Sequence, residues 1–207
     1  MPLSMLRRML RFVSPRPAPS APPAAVTVAP QRPPPFTLDD LAAGLSAVGV
    51  KPGALVIVHS SWSGLAGFQG NVTDVVRLLL DLVGSGGTLA MPAFPSETDQ
   101  AAGFFDQART PTAAGLICEI FRRWPGVRRS INLNHSVCAL GPAADYLLRD
   151  HHLGETTWDE LSPYGRLVEL DGLHVELGLD WPLGGATVMH VAECLLREEV
   201  QFFANVF

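Results

Sequence analysis

The sequence is poor in residues that several common functions depend on. Its 207 residues include a single lysine and only three cysteines, Cys118, Cys138 and Cys194, which lie far apart and form no Cys-x-x-Cys pair. We therefore expect reduced thiols, and neither a disulfide framework nor a zinc finger. No apolar run reaches the ~18 residues that a membrane-spanning helix needs. No apolar signal-peptide core precedes a small-residue cleavage site, so we predict a cytoplasmic chain without a membrane span.

Acidic residues are missing from the first 35 positions, which hold five arginines and ten of the 18 prolines. This composition predicts a disordered, basic, proline-rich tail over residues 1–35 and a globular domain over 36–207. Attachment to anionic lipid or a targeting role is the alternative for the tail. The body carries 10 basic and 20 acidic residues, a net charge of −10. It is therefore unsuited to a nucleic-acid backbone and suited to cationic partners.

Short apolar runs alternate with helical periodicity from residue 36 onward. The predicted strands span 54–58, 88–91, 136–140 and 173–179. The predicted helices span 37–48, 73–83, 112–124, 162–170 and 187–199, and one more begins at Pro142. Strands that are apolar throughout are typical of a sheet covered on both faces. The pattern therefore predicts an α/β fold with a mainly parallel sheet.

A polar loop, His59-Ser-Ser-Trp-Ser-Gly64, follows the first predicted strand. Ligands of open α/β sheets bind beyond the carboxyl ends of the strands. The hydroxyls and backbone N–H groups of this loop could hold an anion or the amide-rich arm of a cofactor. An ordinary polar turn is the alternative. The P-loop and dinucleotide-binding glycine motifs are absent from the sequence.

His190 is the second candidate for a chemical role. Thr187 is the predicted N-cap, so His190 would occupy the third helical position, where the positive helix end disfavours an imidazolium. A neutral, oriented imidazole is what a general base requires. Glu193 lies three residues further on, on the same helix face. A capping or packing histidine is the alternative.

Two further segments are weaker candidates. Arg128 and Arg129 precede a polar cluster and could bind a phosphate, or could be solvated loop residues. The acidic stretch 155–163 could orient a histidine or meet an ammonium group, or could be a charged surface loop. The histidines are too scattered in the sequence to suggest a metal site, so no metal is predicted.

Seven motifs, taken in their order, resemble the aminoglycoside 3-N-acetyltransferase family. They are VHSSWSGL at 58–65, GSGGTLAMP at 84–92, FDQARTP at 105–111, PGVRRS at 125–130, HSVCALG at 135–141, SPYGRL at 162–167 and TVMHVAE at 187–193. The resemblance covers residues 36–207 and describes a member that is short at its C-terminus. The chain departs from the family at Asn132-Leu133, where His-Pro is usual, and at Gln69-Gly70, where Gly-Gly is usual.

The resemblance implies a three-layer α/β/α sandwich, unlike the common N-acetyltransferase fold. It implies acetyl-CoA as the donor and a primary amine of an amino sugar as the acceptor. By the same resemblance, His190 is the general base, Glu160 or Glu193 is its supporting carboxylate, and Asp106 reaches toward the acceptor. The implied cofactor contacts are His59, Ser60, Ser61, Ser63, Gly64, Arg129 and Ser130.

Three hypotheses of function follow. The first is an N-acetyltransferase acting on an amino sugar, and the second is aminoglycoside resistance. The third is a degenerate member that binds CoA or a partner without turnover, which Asn132 and the shortened C-terminus favour. A homodimer is a further hypothesis.

Overall fold

The computed structural model describes residues 33–179 and 187–200 of the chain. All of them lie in one compact unit that begins at Arg32. The predicted tail lies outside the described residues except for Pro33, Pro34 and Pro35, which are exposed. Within the described ranges, none of the helices is long and apolar enough to cross a membrane.

Five strands in the described part form one sheet in the order β3-β4-β2-β1-β5. The strands are β1 (Leu55–Ser60), β2 (Thr88–Pro92), β3 (Arg128–Arg129), β4 (Val137–Leu140) and β5 (Leu173–Leu177). The central strand β1 is parallel to both β2 and β5, whereas β4 is antiparallel to β2 and to β3. The whole sheet is therefore mixed: its pairings are antiparallel on the β3 side and parallel on the β5 side. The carboxyl ends of β1, β2 and β5 lie together at one edge, where the predicted polar loop begins.

The described helices are α1 (Leu38–Ala47), α2 (Val72–Val83), α3 (Glu97–Ala101), α4 (Leu116–Arg122), α5 (Ala144–Leu148), α6 (Pro163–Glu169) and α7 (Met189–Leu195), with a 3₁₀ helix at Ser63–Leu65. Side chains define where four of them begin, and at α3 the Ser96 hydroxyl accepts the Asp99 N–H. Thr37 forms a capping box with Asp40 at α1, and Asn71 forms one with Asp74 at α2. Ser162 accepts the Gly165 N–H at the start of α6. Each cap satisfies backbone donors that the first helical turn leaves unpaired.

Alternating side chains of the strands build two hydrophobic cores, one on each face of the sheet. Val56 and Val58 of β1 pack with α1, α2 and α4, whereas Ile57 packs with α5, α6 and α7. The same alternation occurs in β2 and β4, because successive side chains of a strand point to opposite faces. Helices therefore cover both faces, which confirms the α/β class and the three layers. The three cysteines are buried and free.

Helix boundaries differ from the sequence prediction where loop contacts compete with helix formation. Helix α4 begins at Leu116 and not at Thr112, because Gly115 has a φ of 107° and the Thr112 N–H donates to the Glu119 carboxylate. Helix α7 begins at Met189 and ends at Leu195, inside the predicted range. Strand β3 and helix α3 were not predicted, since two and five residues are too short for a periodic signal.

Candidate active site

His59 lies at the carboxyl end of β1 and links three other elements. It faces the same side of the sheet as Ile57, and its Nδ1 is 2.8 Å from Nε2 of His174 on β5. Its Nε2 is 3.0 Å from the Thr187 hydroxyl and 3.4 Å from the Tyr164 hydroxyl. Burial, reinforced by the neighbouring His174, lowers the pKa of His59 to about 3. His59 is therefore a neutral imidazole that hydrogen-bonds at both nitrogens.

A row of aromatic rings connects His59 with His190. The Tyr164 ring lies 5.9 Å from His59 and 5.1 Å from Trp158, measured between centroids. Trp158 in turn lies 5.1 Å from His190 and 4.3 Å from His135. We call these five residues, together with His174, the histidine cluster. The fold thus assembles in one place two of the predicted site residues, His59 and His190, that are far apart in the sequence.

His190 is paired with Glu193, as the sequence spacing indicated. The His190 Nδ1 lies 2.6 Å from Glu193 Oε2, and the histidine side chain is 47% exposed. A carboxylate at Nδ1 fixes the ring so that Nε2 carries the lone pair. Glu160 is exposed and makes no hydrogen bond or ion pair with another described residue. Of the two predicted carboxylates, Glu193 is the one that contacts His190.

Thr187 does not cap α7, so that prediction is wrong. The N-cap residue is Val188, without a side-chain cap, and His190 is the second helical residue. The Thr187 hydroxyl instead meets the buried nitrogen of His59, which needs a partner away from water. The contact attaches the segment before α7 to β1.

His135 is a further histidine beside His190. Its Nδ1 is buried and has no hydrogen-bond partner among the described residues. Burial, with a smaller contribution from His190, lowers the pKa of His135. Its backbone N–H donates to the Asn132 side chain at 2.8 Å, so Asn132 shapes the turn that presents this ring. Trp158 therefore lies between two imidazoles.

The serines of the predicted polar loop differ in burial: one lies in the core and two lie near the surface. Ser60 is buried, and its hydroxyl lies 3.6 Å from the Cys118 sulfur. Ser61 and Ser63 share a hydrogen bond of 2.9 Å near the surface. Gly64 lies so close to Gly178 that a Cβ on Gly64 would be 1.7 Å from the Gly178 carbonyl oxygen. The contacts of these residues with a cofactor stay a prediction.

Arg129 and Ser130 form hydrogen bonds to residues at the ends of β2 and β4. The Arg129 guanidinium donates to the carbonyls of Thr110 and Ala93 and to the Ser136 hydroxyl. Burial without a carboxylate partner lowers the pKa of Arg129 to about 10. The Ser130 hydroxyl accepts the Val137 N–H at 2.9 Å and lies 2.9 Å from His151 Nδ1. Whether these two residues also contact a cofactor stays a prediction.

A cavity of about 680 Å³ opens at the β3 edge of the sheet, and we call it the basic cavity. Four of the ten basic residues of the body line it, together with His152: Arg122, Arg128, Arg129 and Arg149. Two carboxylates, Asp145 and Asp150, pair with Arg128 and Arg149 at its rim. A concentration of arginines in an acidic body favours a phosphate-bearing ligand.

Asp106 shapes a turn beside Arg129. Its Oδ1 accepts the N–H groups of Ala108 and Arg109, each at 2.9 Å. Gln107 in the same turn donates to the Arg129 carbonyl. The predicted contact of Asp106 with an acceptor stays a prediction. Across the described residues, no three His, Cys, Asp or Glu side chains are grouped as metal ligands would be.

Sequence reasoning missed Trp158, Tyr164 and His174 as members of the cluster. One signal for His174 was present: in the strand Leu173-His-Val-Glu-Leu177, polar and apolar residues alternate. This alternation places His174 and Glu176 on the face that His59 occupies. Trp158 and Tyr164 lie in an irregular acidic segment and at a helix start, where no local periodicity marks a site.

The fold and the cluster define a three-layer α/β protein with a histidine site at the carboxyl ends of its central strands. Residues 57–205 match the family model of aminoglycoside 3-N-acetyltransferases, and the chain belongs to that family. It is 34% identical over 176 residues to aminoglycoside N(3)-acetyltransferase III of Serratia marcescens, covering 77% of this chain and 64% of that protein. The chain thus spans less than two thirds of that relative.

Solved structures show the same likeness. AAC-IIIb in a binary complex with CoASH matches with a TM-score of 0.64 and 30% identity, covering 77% of this chain and 65% of that one. A histidine variant of AAC(3)-IVa in complex with gentamicin matches with a TM-score of 0.68 and 28% identity. That match covers 80% of this chain and 62% of the other.

Proposed function

We propose that this chain is an acetyl-CoA-dependent N-acetyltransferase that acetylates a primary amine of an amino sugar, with His190 as general base. The observation that carries the proposal is the 2.6 Å contact between His190 Nδ1 and Glu193. An ammonium group has no lone pair, so the acceptor must lose a proton before it attacks a thioester. The Nε2 of His190 is the group that takes this proton, while Glu193 balances the charge of the imidazolium.

The donor side of the proposal rests on the relative with bound CoASH and on the charges of this chain. The thioester carbonyl would lie near the Ser60–Gly64 loop, beside the histidine cluster. The N–H groups of Ser61 and Gly64 already bond to Leu177 and to the Ser61 hydroxyl. We therefore assign the oxyanion of the tetrahedral intermediate to the N–H groups of Trp62 and Ser63. The basic cavity would receive the phosphate-bearing end of CoA.

Collapse of the tetrahedral intermediate breaks the bond between carbon and sulfur. The departing thiolate takes a proton from the His190 imidazolium, which restores the base for the next cycle, and the second proton of the attacking nitrogen is released to solvent as the amide forms. The products are an N-acetylated amine and free CoA thiol. A net charge of −10 on residues 36–207 attracts an acceptor with several ammonium groups. The relative that binds gentamicin supports an amino-sugar acceptor.

Release of free thiol from acetyl-CoA in the presence of a panel of amino sugars and aminoglycosides tests the proposal. We expect His190→Gln to lower kcat at least ~100-fold, the usual contribution of a general base. Met189→Ala is the matched control, because Met189 neighbours His190 on α7 and its side chain is 56% exposed. Unchanged turnover in His190→Gln would refute His190 as the base.

A degenerate, CoA-binding member is the second candidate. Its support is Asn132, which takes the place of a histidine usual in the family and serves as a turn residue here. Calorimetric binding of CoA, with no thiol release for any amine in the panel, would favour this candidate. Any turnover that depends on His190 would exclude it.

A further inference from the structure

We propose that His174 is a positioning residue of this site: it orients His59, which holds Thr187 and thereby places His190 at the start of α7. The catalytic part of this inference rests on the proposed function, whereas its structural part does not. Neither a motif nor the family resemblance pointed to His174. The contacts that carry the inference run from β5 through β1 to the segment that leads into α7.

Strand register brings the two histidines together. On β5, His174 is paired with Ile57 and Glu176 with His59, so all three polar side chains point toward the layer of α5, α6 and α7. The rings of His59 and His174 lie edge to face, 4.7 Å apart at an angle of 80°. This geometry aims His174 Nε2 at His59 Nδ1, at a distance of 2.8 Å. One of the two nitrogens must donate and the other accept, since both rings are held neutral by burial.

The hydroxyls around His59 indicate which nitrogen donates. Tyr164 is fully buried, and burial raises its pKa far above the ordinary value, so it keeps its proton. Among the described residues, His59 Nε2, at 3.4 Å, is the hydrogen-bond partner of the Tyr164 hydroxyl. A buried hydroxyl that keeps its proton needs an acceptor for it. Thr187 places a second hydroxyl at the same nitrogen. Nε2 therefore accepts, Nδ1 carries the proton, and His59 donates to His174 Nε2. The remaining proton of His174 is on its Nδ1.

Glu176 completes the arrangement from the same strand. Its Oε1 is buried without a hydrogen-bond partner among the described residues. Burial lowers the pKa of His174, and the negative charge of Glu176 opposes that effect. A carboxylate beside a histidine that carries its proton on Nδ1 stabilises this tautomer. Loss of the His174 ring would leave His59 Nδ1 without its partner and would remove the polar ring beside Glu176.

The contact with Thr187 matters because α7 is weakly anchored at its start. The helix has seven residues, and its N-cap makes no side-chain hydrogen bond. Within α7, only Val191 and Cys194 are buried. The His190 N–H donates to the Thr187 carbonyl. Because His59 holds Thr187, this backbone hydrogen bond fixes the position of the His190 ring. His174 thus acts on His190 through two intermediate residues.

The tautomer of His59 is the first test, and it needs no activity. In protein labelled with ¹⁵N at histidine, long-range proton–nitrogen correlation spectra distinguish Nδ1–H, Nε2–H and charged rings. We expect Nδ1–H for both His59 and His174 at pH 7, with the signals assigned by single His→Gln variants. An Nε2–H tautomer or a charged ring at His59 would overturn the proposed orientation.

Substitution of His174 is the second test. We expect His174→Leu to lower kcat about 10- to 100-fold, the usual effect of removing a supporting partner, with little change in KM for acetyl-CoA. His174→Gln should recover most of kcat, because its amide can still bond to His59. Hydrogen exchange of the peptide over 187–196 should be faster in the Leu variant only. Asp171→Asn, exposed before β5, is the control.

Two outcomes would overturn the inference: wild-type kcat and exchange in His174→Leu, or a Gln variant no better than the Leu variant in both readouts. If the wild-type protein shows no transferase activity, the proposed function fails. The tautomer spectra and the exchange of 187–196 would still decide whether His174 positions α7.

Discussion

Two adjacent histidines have different surroundings, and burial governs the protonation of one of them, His151. His151 is buried, bonds to the Ser130 hydroxyl through Nδ1, and lies 3.4 Å from the Thr157 carbonyl through Nε2. Burial lowers its pKa from 6.5 to about 4. His152, the next residue, is exposed at the rim of the basic cavity. The Ser130 hydroxyl also accepts the Val137 N–H of β4. A charged His151 would therefore disturb the end of β4 next to the site.

This difference predicts a pH-dependent stability. The folded pKa of His151 lies below the unfolded value, so the unfolded chain binds more protons between pH 6.5 and 4. Its contribution is therefore complete above pH 6.5 and is lost as the pH falls toward 4, by about 1.4 kcal/mol per pH unit. Urea unfolding from pH 7.5 to 5 should show a shallower pH dependence in His151→Gln.

The control for this prediction is His152→Gln, which removes the exposed neighbouring histidine and leaves the buried ring of His151 in place. His59, whose pKa falls to about 3 through burial and its neighbour His174, adds a similar slope in both variants. Equal slopes in wild type, His151→Gln and His152→Gln would show that His151 is not a buried neutral group.

At the scale of the elements, local sequence signals located most helices and strands but not all of their ends. The caps Thr37 and Ser162 mark real starts because their hydroxyls accept the N–H groups of Asp40 and Gly165 in the first helical turn. Thr187 is the same residue type as Thr37, yet its hydroxyl bonds to His59, which is 128 residues away in the sequence. A local pattern cannot foresee that competition. Gly115 likewise delays α4 through a backbone conformation that only the fold reveals.

Two glycines of different elements predict opposite effects of the same substitution. Gly64 to Ala would place a Cβ 1.7 Å from the Gly178 carbonyl oxygen, and the two backbone segments must separate. We expect a loss of at least about 2 kcal/mol of stability, because overpacking against backbone has no side chain that can yield. Gly44 lies within α1, and a Cβ there has nothing within 4 Å.

Gly44→Ala should therefore stabilise the protein by about 0.5–1 kcal/mol, the helix preference of alanine over glycine. Denaturant unfolding of both variants at pH 7 measures the two effects side by side. A stable Gly64→Ala variant with unchanged thiol-release activity would contradict the close approach of the serine loop to the end of β5.

For the whole molecule, residue spacing in the sequence predicted one contact of the candidate site, whereas long-range packing determines the others. The pairing of His190 with Glu193 follows from a spacing of three residues on one helix, and the structure places them in contact. The cluster that surrounds them joins β1, β5, α6 and α7, and its members Tyr164 and His59 are 105 residues apart. Such contacts depend on topology, which a single sequence encodes only through all of its long-range packing. Trp158 was missed for that reason, whereas His174 had one local signal, the alternation of polar and apolar residues in β5.

Charge is also distributed over the whole molecule in a way that the net value hides. Residues 36–207 carry a net charge of −10, yet four of their ten basic residues line the basic cavity. Arg128 and Arg149 are half exposed there, and their partners Asp145 and Asp150 are exposed as well. Exposed ion pairs of this kind contribute little to stability, so these arginines can exchange their partners for a phosphate at small cost.

This distribution predicts how CoA binding depends on its phosphates. The double variant Arg128→Gln/Arg149→Gln should raise the Kd for CoA at least tenfold, since one charge-assisted hydrogen bond contributes about 1.5–3 kcal/mol. Pantetheine, which lacks phosphate, should bind both proteins equally in calorimetry. Added salt should weaken CoA binding to the wild type more than to the variant. Arg77→Gln, on the exposed surface of α2 and outside the lining of the cavity, should change the binding of neither ligand. An equal loss of pantetheine binding in the double variant would mean that the arginines support the fold and do not bind the phosphates.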